Sequence, residues 1–303
     1  MTTPGANSLP SRGEMPSAAA LPPRLARGAA PSAVAFPPRV ARVDSIRREN
    51  YRTASIFLDA AAPDTIPGQF AMLWLPGLDE KPFSIMGAEP LAFTIAAVGP
   101  FSRAVTSLQV GDRLWWRGPF GRGFDLTAGG GPGSPSAGDR LNAPGAGLSA
   151  TGSPIMVGGG YGVAPLVFAT RRFVGETGVR PRAAVGARTS EELLLLEDLA
   201  AAGAEVHAVT EDGSSGERGL VTDVVQRLAS AAPVDSILAC GPHGMLNAVG
   251  ALAGELGVPV QLSWEAYMRC GIGICGSCEH DGLLLCADGP VLLSAGAGTP
   301  RST

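Results

Sequence analysis

Four of the chain's five cysteines, Cys270, Cys275, Cys278 and Cys286, fall inside the run CGIGICGSCEHDGLLLC. Sulfurs packed this densely constrain the fold more than any other feature of the sequence. A segment that gathers four thiols is organised by what they hold. The spacing is C-x4-C-x2-C, then x7 and the last cysteine. Its first three sulfurs match the plant-type 2Fe–2S run. Gly271, Gly273 and Gly276 interleave the ligands, as a loop requires if backbone N–H groups are to turn toward sulfide. A zinc ion held by four cysteines is the competing reading, although Cys278 and Cys286 lack the close spacing of a second zinc knuckle. Unligated thiols are a third. Cys240 stands apart and reads as no ligand.

Compartment bears on the choice. Residues 1–34 are rich in Pro, Ala, Ser and Gly and carry no apolar h-region, so they read as a disordered leader rather than a secretory signal. The default compartment is then the cytoplasm, where disulfides are rare and clustered cysteines serve metals or redox chemistry. No apolar run approaches the roughly 18 residues of a membrane span. A net charge of −4 argues against a nucleic-acid binder.

The hydrophobic pattern divides the rest. From residue 35 to 126, short runs of strand character (RVARVDSI, TASIFLDA, QFAMLWL, PFSIMGA, LAFTIAAVG, DRLWWRG) alternate with turn residues, which predicts a small antiparallel barrel. Trp115 and Trp116 read as barrel core and surface. Residues 127–153 are too rich in Gly, Pro and Ser to build a core and read as a linker or insertion. From 154 to 265 strands and helices alternate: PIMVGG, VAPLVFATRRF, PRAAVGA, SEELLLLEDLAAAG, AEVHAVT, LVTDVVQRLAS, DSILACG, PHGMLNAVGALAGEL and PVQLSWE. That order predicts a parallel sheet covered on both faces. Residues 266–303 hold the cysteines and no strong periodicity, as in a module organised by its metal. The expected fold class is therefore α/β plus all-β.

The glycine-rich turn at Gly158, Gly159, Gly160 and Gly162 follows a strand and opens a helix, the context for a pyrophosphate on a helix N-terminus. It is out of phase with the usual G-x-G-x-x-G and on its own reads equally as a tight turn. The other strand ends carry Arg188, Asp212, Cys240-Gly241-Pro242 and Glu265, and all emerge on one sheet edge, where ligands bind. Taken together they point to a nucleotide site. Cys240 also reads as a buried core thiol, and Glu265 as a plain strand-end charge. In the barrel, Lys81 is a candidate phosphate contact, and Pro82, Phe83 and Ser84 are candidates to line a flat ring. Gly118, Gly121 and Phe124 of GPFGRGF join them, with turn and barrel closure as the structural alternative.

A barrel, a parallel-sheet nucleotide domain and a four-cysteine tail together resemble the ferredoxin-reductase superfamily. The motifs KPFSI, GPFGRGF, GGGYGVAPL, TEDGSSGERGLVTD, CGPHGML and MRCGIGICGSC…CADGPVL are most similar to those of class 1B dihydroorotate dehydrogenase electron-transfer subunits. The resemblance covers about residues 35–293 apart from the insertion. Lys81 stands where relatives often have Arg, and the x7 spacing is short. The resemblance implies FAD in the barrel, NAD(H) on the sheet and a 2Fe–2S cluster on the four cysteines. It implies a heterotetramer with an FMN-containing dihydroorotate dehydrogenase catalytic subunit, in pyrimidine biosynthesis, because a second flavin barrel of about 250 residues has no room here. Flavin must stand between the other two, since it exchanges electrons in pairs or singly. No general base is expected. The subunit of a hydrogenase, sulfide dehydrogenase or transhydrogenase keeps the same wiring, and a zinc-organised interaction protein does not. Arg188 could meet a 2′-phosphate, so the residues leave NAD against NADP open, while the resemblance points to NAD.

Overall fold

The computed structural model describes residues 37–126 and 153–294, so the leader and the insertion lie outside the described residues. The first sheet joins β1 (Arg39–Arg48), β2 (Thr53–Leu58), β3 (Phe70–Leu75), β4 (Asp79–Ser84), β5 (Gly87–Ala88), β6 (Leu91–Ala96) and β7 (Arg113–Phe120). Every pairing is antiparallel, in the order β4-β3-β7-β1-β2-β6-β5, and the sheet curls so that β4 packs near β6. Its core gathers Ile56, Leu58, Leu73, Phe93, Leu114 and Trp116. Burial of these side chains stabilises the barrel by about 1.5–3 kcal/mol each. Trp116 is core, as expected, and Arg39 lies over its ring.

Two details depart from the sequence reading. PFSIMGA breaks into β4 and β5, because Ile85 and Met86 are both buried and an unbroken strand would turn one of them outward. A helix, α1 (Pro100–Thr106), was hidden in a stretch that opens with Gly and Pro. Its signals are Pro at the first position and Ser102, whose Oγ accepts from the Gly99 N–H at 2.9 Å.

The second sheet is built from β8 (Ser153–Gly159), β9 (Arg182–Ala187), β10 (Glu205–Thr210), β11 (Glu217–Arg218), β12 (Val234–Cys240) and β13 (Val260–Ser263), all parallel. The tail forms two short strands of its own, β14 (Glu279–His280) and β15 (Leu283–Leu284), and then completes this sheet with β16 (Val291–Ser294), antiparallel to β13. The sequence showed no periodicity there, because four residues on a sheet edge leave little pattern. Helix α2 (Val163–Thr177) covers one face together with α3 (Leu196–Ala201). Helices α4 (Val221–Ala231) and α5 (His243–Leu256) cover the other.

The helix expected over SEELLLLEDLAAAG is a correction. A 3-10 turn spans Ser190–Glu192, Leu195 takes φ +58°, and α3 is only six residues long. Four leucines in succession point to every side of a helix; breaking it buries both Leu194 and Leu195.

The two sheets do not stand apart. Met86, Ala92 and Phe124 from the barrel region share one core with α2 and with Val291 of the tail. The cysteine segment has its own core, in which Met268, Cys278, Leu285 and Cys286 pack on Phe70, Met72 and Phe120 of the barrel.

Candidate functional site

Two cavities meet at Tyr161, in the glycine turn between β8 and α2. The first holds about 520 Å³ and lies between the barrel and the ends of β12 and β13. Lys81, Pro82, Phe83 and Ser84 line it, as do Gly162, Cys240 and Glu265 from the sheet. Thr94 and Ala96 of β6, Ser102 of α1, and Trp264 and Tyr267 complete it. Phe83 is stacked on Phe101, with ring centroids 6.0 Å apart. Lys81 pairs with Asp79 at 2.7 Å and lies 5.0 Å from the Tyr267 ring centroid. The cavity is large, mostly apolar and edged by a few polar groups, the form of a site for a planar cofactor.

The second cavity, about 540 Å³, runs along the sheet edge. Gly159, Gly160, Gly241 and Pro242 line it, together with Arg188, Glu192, Glu211 and Thr222. The start of α2 and the end of β12 approach so closely that a Cβ on Gly162 would stand 2.7 Å from the Gly241 Cα. Gly158 likewise faces the Val163 side chain. These two glycines serve close packing, as the dinucleotide motif requires of its later glycines.

Tyr161 separates the two spaces and is tied to the second strand set. Its hydroxyl donates to the Glu265 carboxylate at 3.2 Å. Burial and that carboxylate push the Tyr161 phenol up to about 12, and desolvation raises Glu265 while the Tyr161 bond lowers it. The buried Cys240 thiol is pushed up to about 12 by desolvation.

Five of the expected residues lie off both linings. Phe124 is 1% exposed in the core under α2. Gly118 accepts from the Arg39 guanidinium, and Gly121, with φ +75°, abuts Gly289 and Pro290 of the tail. Gly158 packs on α2. Asp212 sits on an exposed turn, its carboxylate accepting from the Ser214 N–H and hydroxyl at 2.9 and 2.6 Å, and its neighbour Glu211 lines the cavity instead. Sequence reasoning missed Tyr161, Glu192, Arg52 and Tyr267. Tyr161 had a signal, being the one large side chain inside GGGYG.

From Trp264 to Met268 the chain walls the first cavity, and two residues later it enters the cysteine loop. Gly271, Gly273 and Gly276 have φ of 74°, 76° and 70°. The turns at Gly271 and Gly273 aim the Ile272 N–H at Cys270 (3.4 Å) and the Gly273 N–H at Cys286 (3.1 Å), and the Cys286 N–H reaches Cys278 (3.4 Å). Cys278 and Cys286 are buried, Cys270 is half-buried and Cys275 is exposed. Among the described residues no three Cys, His, Asp or Glu side chains converge on a single-ion site. Backbone N–H groups turned toward Cys270, Cys278 and Cys286 fit an iron-sulfur cluster, which the C-x4-C-x2-C spacing also favours. Arg117 anchors the loop to the barrel. Its guanidinium donates to both Glu80 oxygens at 2.7 and 2.8 Å and to the Cys270 carbonyl at 3.2 Å. His243, Trp264 and His280 form an aromatic cluster, in which Trp264 and His280 lie tilted with centroids 4.5 Å apart and His243 meets both edge-on.

A curled antiparallel sheet, a parallel sheet with a glycine turn and two joined cavities define a reductase of the ferredoxin-reductase fold. Consistent with that, the chain superposes with TM-score 0.70 on an NADH-dependent reduced ferredoxin-NADP oxidoreductase, at 22% identity over 84% of this chain and 88% of that one. Residues 156–250 match the oxidoreductase NAD-binding domain, and residues 265–295 match the iron-sulfur cluster binding domain of dihydroorotate dehydrogenase B. A Methanocaldococcus jannaschii protein named "Probable dihydroorotate dehydrogenase B (NAD(+)), electron transfer subunit" is 38% identical over 75% of this chain and 79% of its own length. A Methanopyrus kandleri protein of the same name is 39% identical over 74% and 78%. The chain belongs to the family of dihydroorotate dehydrogenase B electron transfer subunits.

Proposed function

We propose that this chain passes electrons between NAD(H) and a dihydroorotate-oxidising, FMN-containing catalytic subunit in pyrimidine biosynthesis, through FAD in the first cavity and a 2Fe–2S cluster on Cys270, Cys275, Cys278 and Cys286. The observation that carries the reading is continuity. The two cavities adjoin across Tyr161 and Ala96, which line both, and the wall of the first runs directly into the cysteine loop. When bound, the flavin supplies a two-electron exchange with nicotinamide and one-electron exchange with the cluster.

The chain's own residues position and exclude. Phe83 and Ser84 present a flat wall and a hydroxyl to the first cavity, and Lys81 stands at its edge. Tyr161 and Glu265 close the boundary between the cavities with one hydrogen bond. Cys240, neutral at physiological pH, offers that boundary a small apolar surface. Arg117 and Glu80 hold the Cys270 backbone against the barrel, which fixes the span from the first cavity to the sulfurs. Five free cysteines, four of them clustered, fit a cytoplasmic setting. Among the described residues no helix is long and apolar enough to cross a membrane.

The test is Cys275→Ser. The variant should keep the flavin bands and NADH–ferricyanide activity, lose the cluster's brown absorbance, and fail to reduce the catalytic subunit. Undiminished transfer to that subunit would overturn the order of carriers. Co-purification with a hydrogenase or sulfide dehydrogenase subunit in place of the dihydroorotate-oxidising one would reassign the partner.

A further inference from the structure

The cysteine segment is tied to both sheets. Arg117 and Glu80 hold its Cys270 end to the barrel. The tie to the parallel sheet is aromatic. Two of the chain's three histidines, His243 and His280, meet around Trp264. Three separate elements supply these rings. His243 is the first residue of α5, Trp264 directly follows β13, and His280 ends β14, two residues after Cys278.

The Trp264 indole lies tilted by 36° to the His280 ring, and the His243 ring stands at 90° to the indole with centroids 5.4 Å apart. At these separations aromatic rings attract one another. The backbone fixes where the indole starts. The Trp264 N–H donates to the Pro290 carbonyl at 2.9 Å, and His243 Nε2 donates to the Glu265 carbonyl at 2.9 Å. Trp264 therefore leaves β13 pinned by the tail beyond the last cysteine and by the start of α5. Its side chain packs on the core under α4 and α5 and on the core that buries Cys278 and Cys286. It also lines the first cavity. His280 belongs to the hairpin between those two cysteines: it pairs with Leu283, and the Leu285 N–H donates to the Cys278 carbonyl at 3.1 Å. One indole thus joins the cavity wall, the sheet and the hairpin that carries two of the sulfurs.

We propose that Trp264 is a positioning residue for electron exchange with the cluster: by gripping His280 it fixes the Cys278–Cys286 hairpin at one span from the first cavity. This rests on the reading of that cavity as the flavin site and of the four cysteines as the cluster's ligands. The indole acts by packing alone and is neither oxidised nor reduced; the electron that leaves the flavin is the one the cluster accepts. Arg117 fixes the Cys270 end and the aromatic cluster fixes the Cys278–Cys286 end, so the sulfurs are held from both of the sheets that wall the cavity. A step whose rate depends on geometry requires such support.

The experiment is stopped-flow reduction of the flavin-loaded, iron-loaded protein by NADH, alongside hydrogen exchange over residues 278–286. His280 lines neither cavity, so His280→Leu removes the ring contact and should leave the flavin bands bleaching at the wild-type rate. The cluster's absorbance should bleach more slowly than in wild type by about tenfold or more, the scale on which small displacements of reacting groups cost rate. Exchange at the Leu285 amide should rise. His280→Phe, which keeps a ring, should restore both readouts. Trp264→Leu should slow the cluster step as His280→Leu does, and the two together should slow it no more than either alone. Cluster bleaching at the wild-type rate in His280→Leu would overturn the proposal, even with a lowered thermal midpoint, since the rings would then only stabilise the fold. So would a His280→Phe variant as slow as His280→Leu, since the imidazole's own chemistry would then be at work in place of its packing. Wild-type protein whose flavin bands bleach but which holds no iron would overturn the cluster assignment itself, and the positioning proposal with it.

Discussion

At the scale of single residues, the boundary between the cavities turns on one hydroxyl. Tyr161 donates to Glu265, and that bond holds the Glu265 carboxylate lower than its desolvation alone would. Tyr161→Phe keeps the ring but removes the donor, so the Glu265 pKa should climb further above the ordinary carboxylate range. At a given mildly acidic pH, less of Glu265 is then ionised. The acid limb of the pH profile for NADH-dependent flavin bleaching should therefore move to higher pH, which stopped-flow absorbance will show. A profile unchanged from wild type would remove the Tyr161–Glu265 pair from any part in that step. Cys240 illustrates the limit of a motif. CGP marked a loop at a sheet edge, but the burial that keeps the thiol neutral comes from elements far away in sequence.

At the scale of elements, the cysteine loop depends on a barrel strand pair. Arg117 in β7 and Glu80 in β4 form a two-pronged pair with side chains 11% and 25% exposed. That partial burial lifts the contact above a surface ion pair. Glu80→Gln removes the carboxylate that the Arg117 fork holds and should cost about 1–2 kcal/mol. It should also release iron faster, since Arg117 holds the Cys270 carbonyl. Iron content after dialysis and the thermal midpoint both report it; full iron retention with a lowered midpoint would confine the pair to stabilising the barrel. The sequence held no sign of this link. GPFGRGF read as a flavin motif, whereas Arg117, just before it, reaches the cysteine loop. The strands themselves were legible, because a half-buried strand alternates and a parallel one is a short apolar block. The helix over 190–203 was not, because a block of leucines carries no period and the surrounding core chose which two to bury.

At the scale of the molecule, the barrel, the sheet and the tail share cores, while the cysteine loop hangs between two anchored ends. Met86, Phe124, α2 and Val291 form one apolar cluster, and β16 is stitched into the sheet beyond the loop. Removing iron with a chelator should therefore loosen residues 270–286 and leave both sheets folded. Hydrogen exchange should rise sharply in that segment and hardly at all in β8 or β12. Uniform loss of protection across the sheet would show that the cluster supports the whole fold.

The sequence alone determined the order of the parts, the spacing of the cysteines and the glycine turn. Each is written in local spacing: sulfurs a few residues apart, strand and helix periods, glycines where a chain must bend. Tertiary structure decided what distant residues do to one another. It set Tyr161 between two cavities and Arg117 under Cys270, and it laid Trp264 against His280. Charges and burial act through space, and the residues that meet at these points are separated by up to 153 positions along the chain.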